Sequence, residues 1–192
     1  MELAERRGLD TDVYQPAEDS ALLAETARER LDGVTDGVVL EVGTGSGYVA
    51  DRLSESLDCR VLGSDLNPHA CRQAYGRGVE VVRADLVDPF VDDAFDAVVF
   101  NPPYLPTDPD AEWDDWMERA LSGGETGREV IDRFLAEVGR VLAPGGEILL
   151  LVSSLAGVEA VVDRAAAEGY SAVALADESF PFETLTVLAL VR

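Results

Sequence analysis

Val38-Val39-Leu40-Glu41-Val42-Gly43-Thr44-Gly45-Ser46-Gly47 is the stretch that decides the fold. Its first five residues read as a buried strand. The alternate glycines read as a tight turn, and Tyr48 to Ser56 as a helix that follows at once. A buried strand turning directly into a helix is the repeating unit of a parallel α/β sheet. The same alternation extends in both directions. Upstream, Glu18 to Leu31 carries Leu22, Leu23, Ala27 and Leu31 at helical spacing, with Asp19 or Ser20 as possible caps and Gly33 as a stop. Downstream, strands are expected at Arg60–Ser64, Val79–Val82, Phe95–Phe100 and Glu147–Val152. Helices from Pro68 towards Tyr75, from Arg128 to Leu142 before the Pro144-Gly145-Gly146 turn, and from Leu155 to Glu168 complete the alternation. Ala172–Ala176 and Thr184–Val191 have no helix between them and should close as an antiparallel hairpin. The expectation is a seven-stranded, mostly parallel sheet with helices on both faces. It should form one domain over residues 1–192, with residues 1–12 as a flexible arm.

Charge is the unusual property. The 38 acids oppose 15 bases, giving −23, and every base is Arg. The acids are dispersed and do not form a tail, so the whole surface is acidic. That fits adaptation to high cytoplasmic salt, where repulsion is screened; a specialised acidic binder or nucleic-acid mimic is the rival explanation. No basic stripe marks a direct nucleic-acid binder. Cys59 and Cys71 have neither CxxC spacing nor His company, so no metal site is expected and a reducing cytoplasm is implied. The N-terminal residues lack a signal-peptide core, and no apolar run is long enough to span a bilayer. A soluble cytoplasmic protein is expected.

Four segments should gather at the carboxyl ends of the strands, where open α/β sheets bind ligands. In the glycine turn, the dinucleotide pattern G-x-G-x-x-G would need glycine at Tyr48. Glu41, two residues before Gly43, suits a cationic ligand such as an amine or sulfonium better than a pyrophosphate. In Ser64-Asp65-Leu66-Asn67, Asp65 can accept from two ribose hydroxyls, or cap a helix. In Ala84-Asp85-Leu86, Asp85 can accept from an adenine amine while Leu86 covers the ring, or simply hold a turn. Asn101-Pro102-Pro103-Tyr104 follows the strand ending at Phe100. Pro103 biases Pro102 towards an extended conformation, so the loop is stiff. It can present one carboxamide and two backbone carbonyls to a flat group carrying an N–H₂, or it can merely end the strand. The irregular stretch from Pro102 to Thr126 is too long for a plain connector and should cover a site.

In this order, the four segments resemble the class I S-adenosylmethionine-dependent methyltransferases, which have a Rossmann-like sheet. Asn101 to Tyr104 narrows the resemblance to enzymes that methylate a planar nitrogen. Val13-Tyr14-Gln15-Pro16-Ala17-Glu18-Asp19-Ser20 looks like the opening motif of the HemK-like release-factor glutamine methyltransferases, with Ser20 where Thr is usual and Gln15 where Glu is common. Gly123-Gly124-Glu125-Thr126-Gly127-Arg128-Glu129-Val130-Ile131-Asp132-Arg133-Phe134 looks like a second family segment. The start close to the first motif is most similar to the archaeal and eukaryotic branch, and the composition points to a halophilic archaeon.

The resemblance implies that Glu41 contacts the amino group of S-adenosylmethionine, with Gly43, Thr44, Gly45 and Gly47 in the methionine turn and Ser20 near it. Asp65 with Leu66 would hold the ribose, and Asp85 with Leu86 the adenine. Asn101 and the Pro102 carbonyl would bind the target amide beside Pro103, with Tyr104 packed on it. The implied substrate is the glutamine of the Gly-Gly-Gln loop of a class 1 translation release factor. The implied partner is a small zinc-ribbon activator pairing near Val79–Val82, a strand expected at the sheet edge with its valines exposed. Two alternatives stay open: a methyltransferase acting on a nucleic-acid exocyclic amine, and a non-catalytic scaffold. His69 reads as a surface or packing residue, Arg128 as one member of an ion pair, and Trp113 and Trp116 as substrate contacts or loop anchors.

Overall fold

The computed structural model describes residues 12–107 and 115–192. Of the expected arm over residues 1–12, all but Asp12 lies outside them, as does Trp113. The chain runs α1 (Glu18–Arg30), β1 (Val38–Val42), α2 (Tyr48–Ser56), β2 (Arg60–Asp65), α3 (Pro68–Arg77), β3 (Glu80–Arg83), β4 (Phe95–Phe100), α4 (Trp116–Leu121), α5 (Glu129–Glu137), β5 (Leu142–Ser153), α6 (Val158–Ala167), β6 (Ser171–Ser179) and β7 (Thr184–Val191). The seven strands form one sheet in the order β3-β2-β1-β4-β5-β7-β6. Strands β1 to β5 pair in parallel, and β7 runs antiparallel to both β5 and β6. The expected seven-stranded sheet and its closing hairpin are both present.

Period-2 alternation sorts each strand between two cores. Leu40 and Val42 of β1, Val98 and Phe100 of β4, and Ile148, Leu150 and Val152 of β5 pack with Ile131, Phe134 and Leu135 of α5 and Val161 of α6. Their neighbours Val39, Ala97, Val99, Leu149 and Leu151 face the other way, onto Leu23, Ala27 and Leu31 and the Val49 and Leu53 side chains of α2. Burying both faces explains why these strands are almost wholly apolar. Glu41 breaks that pattern.

Several boundaries differ from expectation. Helix α1 is capped by Ala17 with no side-chain bond; Asp19 and Ser20 are buried inside its first turn and cannot cap it. Strand β5 begins before Pro144-Gly145-Gly146, because the turn is absorbed as an irregularity in pairing with β4, between Phe95↔Leu142 and Ala97↔Glu147. Helix α5 ends at Glu137, and a single 3₁₀ turn, Val138–Arg140, follows it. Helix α4 lies inside the stretch read as irregular; the Asp115 side chain accepts from the Glu118 amide at 2.7 Å. Strand β3 is an edge strand, yet Val79 is buried, Val81 half-buried and only Val82 exposed.

Register places the site. Val42 lies opposite both Ser64 and Phe100, so β1, β2 and β4 end together. Strand order reverses between β1 and β4, and Gly43, Asp65 and Asn101 are the residues at that switch point.

Candidate active site

A cavity of about 770 Å³ opens where these strand ends meet, a size typical of small-molecule sites. Glu41 of β1 lines it with Gly43, Thr44 and Gly45 of the turn that follows, Asp65 at the end of β2 with Leu66 just beyond it, and Asp85 and Leu86 from the loop after β3. Asn101, Pro102, Pro103 and Tyr104 line it from β4, and Ser20 from α1. The structure thus brings together nearly every residue expected there. Gly47 is the exception: it caps α2 at φ 81°, and a Cβ on it would meet the Ala74 Cα at 2.9 Å. Its glycine serves the packing of α2 on α3, not the cavity.

The turn after β1 is built around two carboxylates. Gly43 adopts φ 62° and leaves its face bare of side chain; a Cβ there would press on the Phe100 ring at 3.2 Å. Glu41 is 3% exposed, and its Oε2 accepts from the Thr44 hydroxyl at 2.5 Å and the Ala50 amide at 2.8 Å. Burial pushes its pKa from the ordinary carboxyl range up to about 8, despite those two bonds, and the nearby Asp65 carboxylate adds to the rise. Thr44 therefore faces Glu41 with its hydroxyl. Asp65 accepts from the Gly45 amide at Oδ2 and from the Asn67 amide at Oδ1, both at 2.8 Å. Burial raises its pKa too, opposed by the two amides. The cap of α3 falls to Asn67, whose Oδ1 accepts from the His69 amide.

Farther along the cavity, Asp85 is ion-paired with Arg133 of α5, and Leu86 sits beside it at φ 47°, buried. At the opposite end, Asn101 donates from Nδ2 to Asp19 Oδ2 at 3.0 Å. Its Oδ1 is buried and has no partner among the described residues. Tyr104 packs against both cores, and its hydroxyl is held protonated by burial and by the Asp19 and Glu183 carboxylates. Helix α4 roofs this end with Trp116, Arg119 and Leu121. The Arg119 guanidinium lies 5.4 Å from the Trp116 ring centroid.

Residues 39–124 match the family model described as a methyltransferase domain. A candidate protein N5-glutamine methyltransferase of Methanocaldococcus jannaschii is 34% identical over 94% of this chain and 92% of its own length. The chain belongs to the HemK-like protein N5-glutamine methyltransferase family. The human methyltransferase HEMK2 is also 34% identical, over 97% of this chain and 92% of its own. The structure of the E. cuniculi Mtq2–Trm112 complex, which methylates the eRF1 translation termination factor, matches with a TM-score of 0.79 at 31% identity. That match covers 95% of this chain and 99% of the other. The fold is that of a class I methyltransferase, and the chain is an enzyme of that class.

Within this methyltransferase, three contributors escaped the sequence. Asp19, with Ser20 one of two possible caps by sequence, is the partner of Asn101. Arg133 stood in a quoted motif without a role and here holds Asp85. Helix α4 announced itself only through the Asp115-x-x-Glu118 pattern of a capping box. Arg128 has no ion-pair partner among the described residues; its Nη1 donates to the Ala156 carbonyl at 2.7 Å. His69 does not line the cavity; its Nδ1 lies 3.3 Å from the Asp12 carboxylate.

Proposed function

We propose that this chain methylates the side-chain amide nitrogen of a glutamine in the Gly-Gly-Gln loop of a class 1 translation release factor, using S-adenosylmethionine. The observation that carries this reading is Asn101. Its amide donor is already committed to Asp19, and its oxygen is buried without a partner among the described residues, in a side chain whose residue lines the cavity. A buried, unsatisfied acceptor is costly, and an incoming N–H relieves that cost.

The residues present fit the cofactor. Glu41, pushed towards its neutral form by burial, would regain its charge against the cofactor's ammonium. The bare Gly43 turn, with Thr44, Gly45 and Ser20 around it, would hold the methionine part. Asp65 with Leu66 would take the ribose, and Asp85 with Leu86 the adenine. When bound, the cofactor supplies an electrophilic methyl carbon on a sulfonium.

An amide nitrogen is a poor nucleophile because its lone pair is delocalised into the carbonyl. Asn101 Oδ1 and the Pro102 carbonyl would accept its two N–H bonds and turn the lone pair towards the cofactor end of the cavity. Tyr104 would pack on the flat amide, and Pro103 keeps the loop stiff. As the acceptor nitrogen becomes positive, both hydrogen bonds strengthen, which favours the transition state over the ground state. The product sheds its proton readily, so no general base is required.

The chain would act as one domain in the cytoplasm; among the described residues no helix is long and apolar enough to cross a membrane. A small zinc-ribbon activator would pair along β3, the edge where Val82 is exposed. The Mtq2 structure, solved as a complex with Trm112, supports such a partner. The test is methyl transfer from labelled cofactor to purified release factor, with tRNA and DNA as parallel acceptors. Label in the release factor alone is expected. Label in tRNA or DNA alone would favour a nucleic-acid exocyclic amine instead.

A further inference from the structure

We propose that Asp19 is the positioning residue that sets which end of the Asn101 carboxamide faces the acceptor, and so restricts the site to acceptors that offer an N–H. This rests on the role proposed for Asn101. Asp19 lies in the first turn of α1, is 5% exposed and lines the cavity. Four donors converge on its carboxylate. Asn101 Nδ2 and the Tyr14 hydroxyl reach Oδ2 at 3.0 and 3.1 Å. The Ser20 amide and hydroxyl reach Oδ1 at 2.6 and 3.2 Å.

A carboxylate only accepts, and a carboxamide has one donor end and one acceptor end. Asp19 can therefore face only the N–H₂ of Asn101, which leaves Oδ1 for the acceptor. A flipped Asn101 would place two oxygens against each other and lose a charge-assisted hydrogen bond. The two Ser20 donors stop the carboxylate from swivelling, and the Tyr14 proton is kept in place by burial and by Asp19 itself. A glutamine side chain meets Oδ1 with an N–H. A glutamate, its deamidated counterpart, meets it with oxygen and is repelled. The orientation of one side chain thus becomes a selection between two nearly isosteric substrates.

Asp19→Asn keeps the shape but can donate as well as accept, so Asn101 is free to flip. Measured with labelled S-adenosylmethionine and a Gly-Gly-Gln peptide, its kcat should fall about 10- to 100-fold, the cost of misplacing a group in the reacting geometry. Cofactor Kd by calorimetry should stay within about threefold, because Glu41, Asp65 and Asp85 keep their own supports and, of the residues proposed to hold the cofactor, only Ser20 touches Asp19. The deciding readout is a double-mutant cycle: in an Asn101→Ala background, Asp19→Asn should cost almost nothing more. Full additivity overturns the positioning role alone. So does a fall in kcat matched by equal losses in cofactor affinity and thermal stability, which a merely structural carboxylate would give. Wild-type turnover in Asn101→Ala overturns the role of Asn101 on which the proposal rests. If Asp19→Asn does not fold, Tyr14→Phe removes one donor from the same carboxylate and leaves the rest. Its kcat should drop by less than about tenfold, again without additivity to Asn101→Ala, and unchanged kcat overturns the proposal.

Discussion

The Thr44 hydroxyl donates to Glu41 Oε2 across 2.5 Å, so the buried carboxyl is anchored by the turn it precedes. The anchor does not offset burial, and Glu41 titrates near pH 8. Below that pH the empty site holds a neutral acid, which must lose its proton to meet a cationic amino group. Cofactor affinity should therefore rise between pH 6 and 8, towards a limit of roughly tenfold per pH unit. Calorimetry in buffers of different ionisation enthalpy should detect proton release near neutral pH, and Glu41→Gln should abolish it. For the empty protein the sign is opposite. A carboxyl raised in the fold contributes stability below its ordinary pKa of 4.5, and that contribution is lost as pH rises through about 8.

Asp65 uses both oxygens on backbone amides, which aims it at the cavity and ties the glycine turn to the start of α3. Asp65→Ala should weaken cofactor binding by roughly 1.5–3 kcal/mol while the sheet still forms. Calorimetry paired with circular dichroism checks this. Unchanged affinity in a folded variant would remove Asp65 from the cofactor site.

Gly47 predicts the reverse pattern. Its φ of 81° and the close approach of Ala74 make Gly47→Ala strained at both backbone and packing. A loss of about 1–3 kcal/mol in denaturant unfolding is expected, with cofactor affinity in the folded fraction nearly unchanged.

How much of this could be read from the chain depends on where the constraint lies. Strands β1, β4 and β7 and helix α2 are local patterns, set by β-branched runs and by glycine or proline punctuation, and they fall where expected. The three carboxyl groups proposed to hold the cofactor were legible because each lies within two residues of a strand's carboxyl end, so topology alone brings Glu41, Asp65 and Asp85 to one edge. Asp19 was not legible. Its partner is 82 residues away, and near a helix start an aspartate reads as a cap. Val79 looked exposed because edge strands usually are, yet α3 folds back and buries it. Pro144 to Gly146 looked like a clean break, whereas pairing with β4 continues on both sides of it.

The two sheet edges offer an internal control for the activator. Val82 is 36% exposed on β3, and Val173 is 53% exposed on β6, the opposite edge. Co-expression with a small zinc-ribbon protein should give a heterodimer by size-exclusion chromatography. Val82→Arg should weaken it by roughly tenfold or more, and Val173→Arg should leave it intact. Equal effects at the two edges would displace the partner from β3.

The Asn101 oxygen, buried and without a partner among the described residues, is proposed to meet the amide nitrogen of a protein glutamine. The most direct measurement is mass-spectrometric mapping of the methyl group on a release factor treated with the wild-type enzyme and with Asn101→Ala. The expected result is one methyl on the glutamine of the Gly-Gly-Gln loop, formed about 10²–10³-fold more slowly by the variant, with cofactor affinity largely retained. A methyl on any other residue, or a variant within a few-fold of wild type, would contradict it.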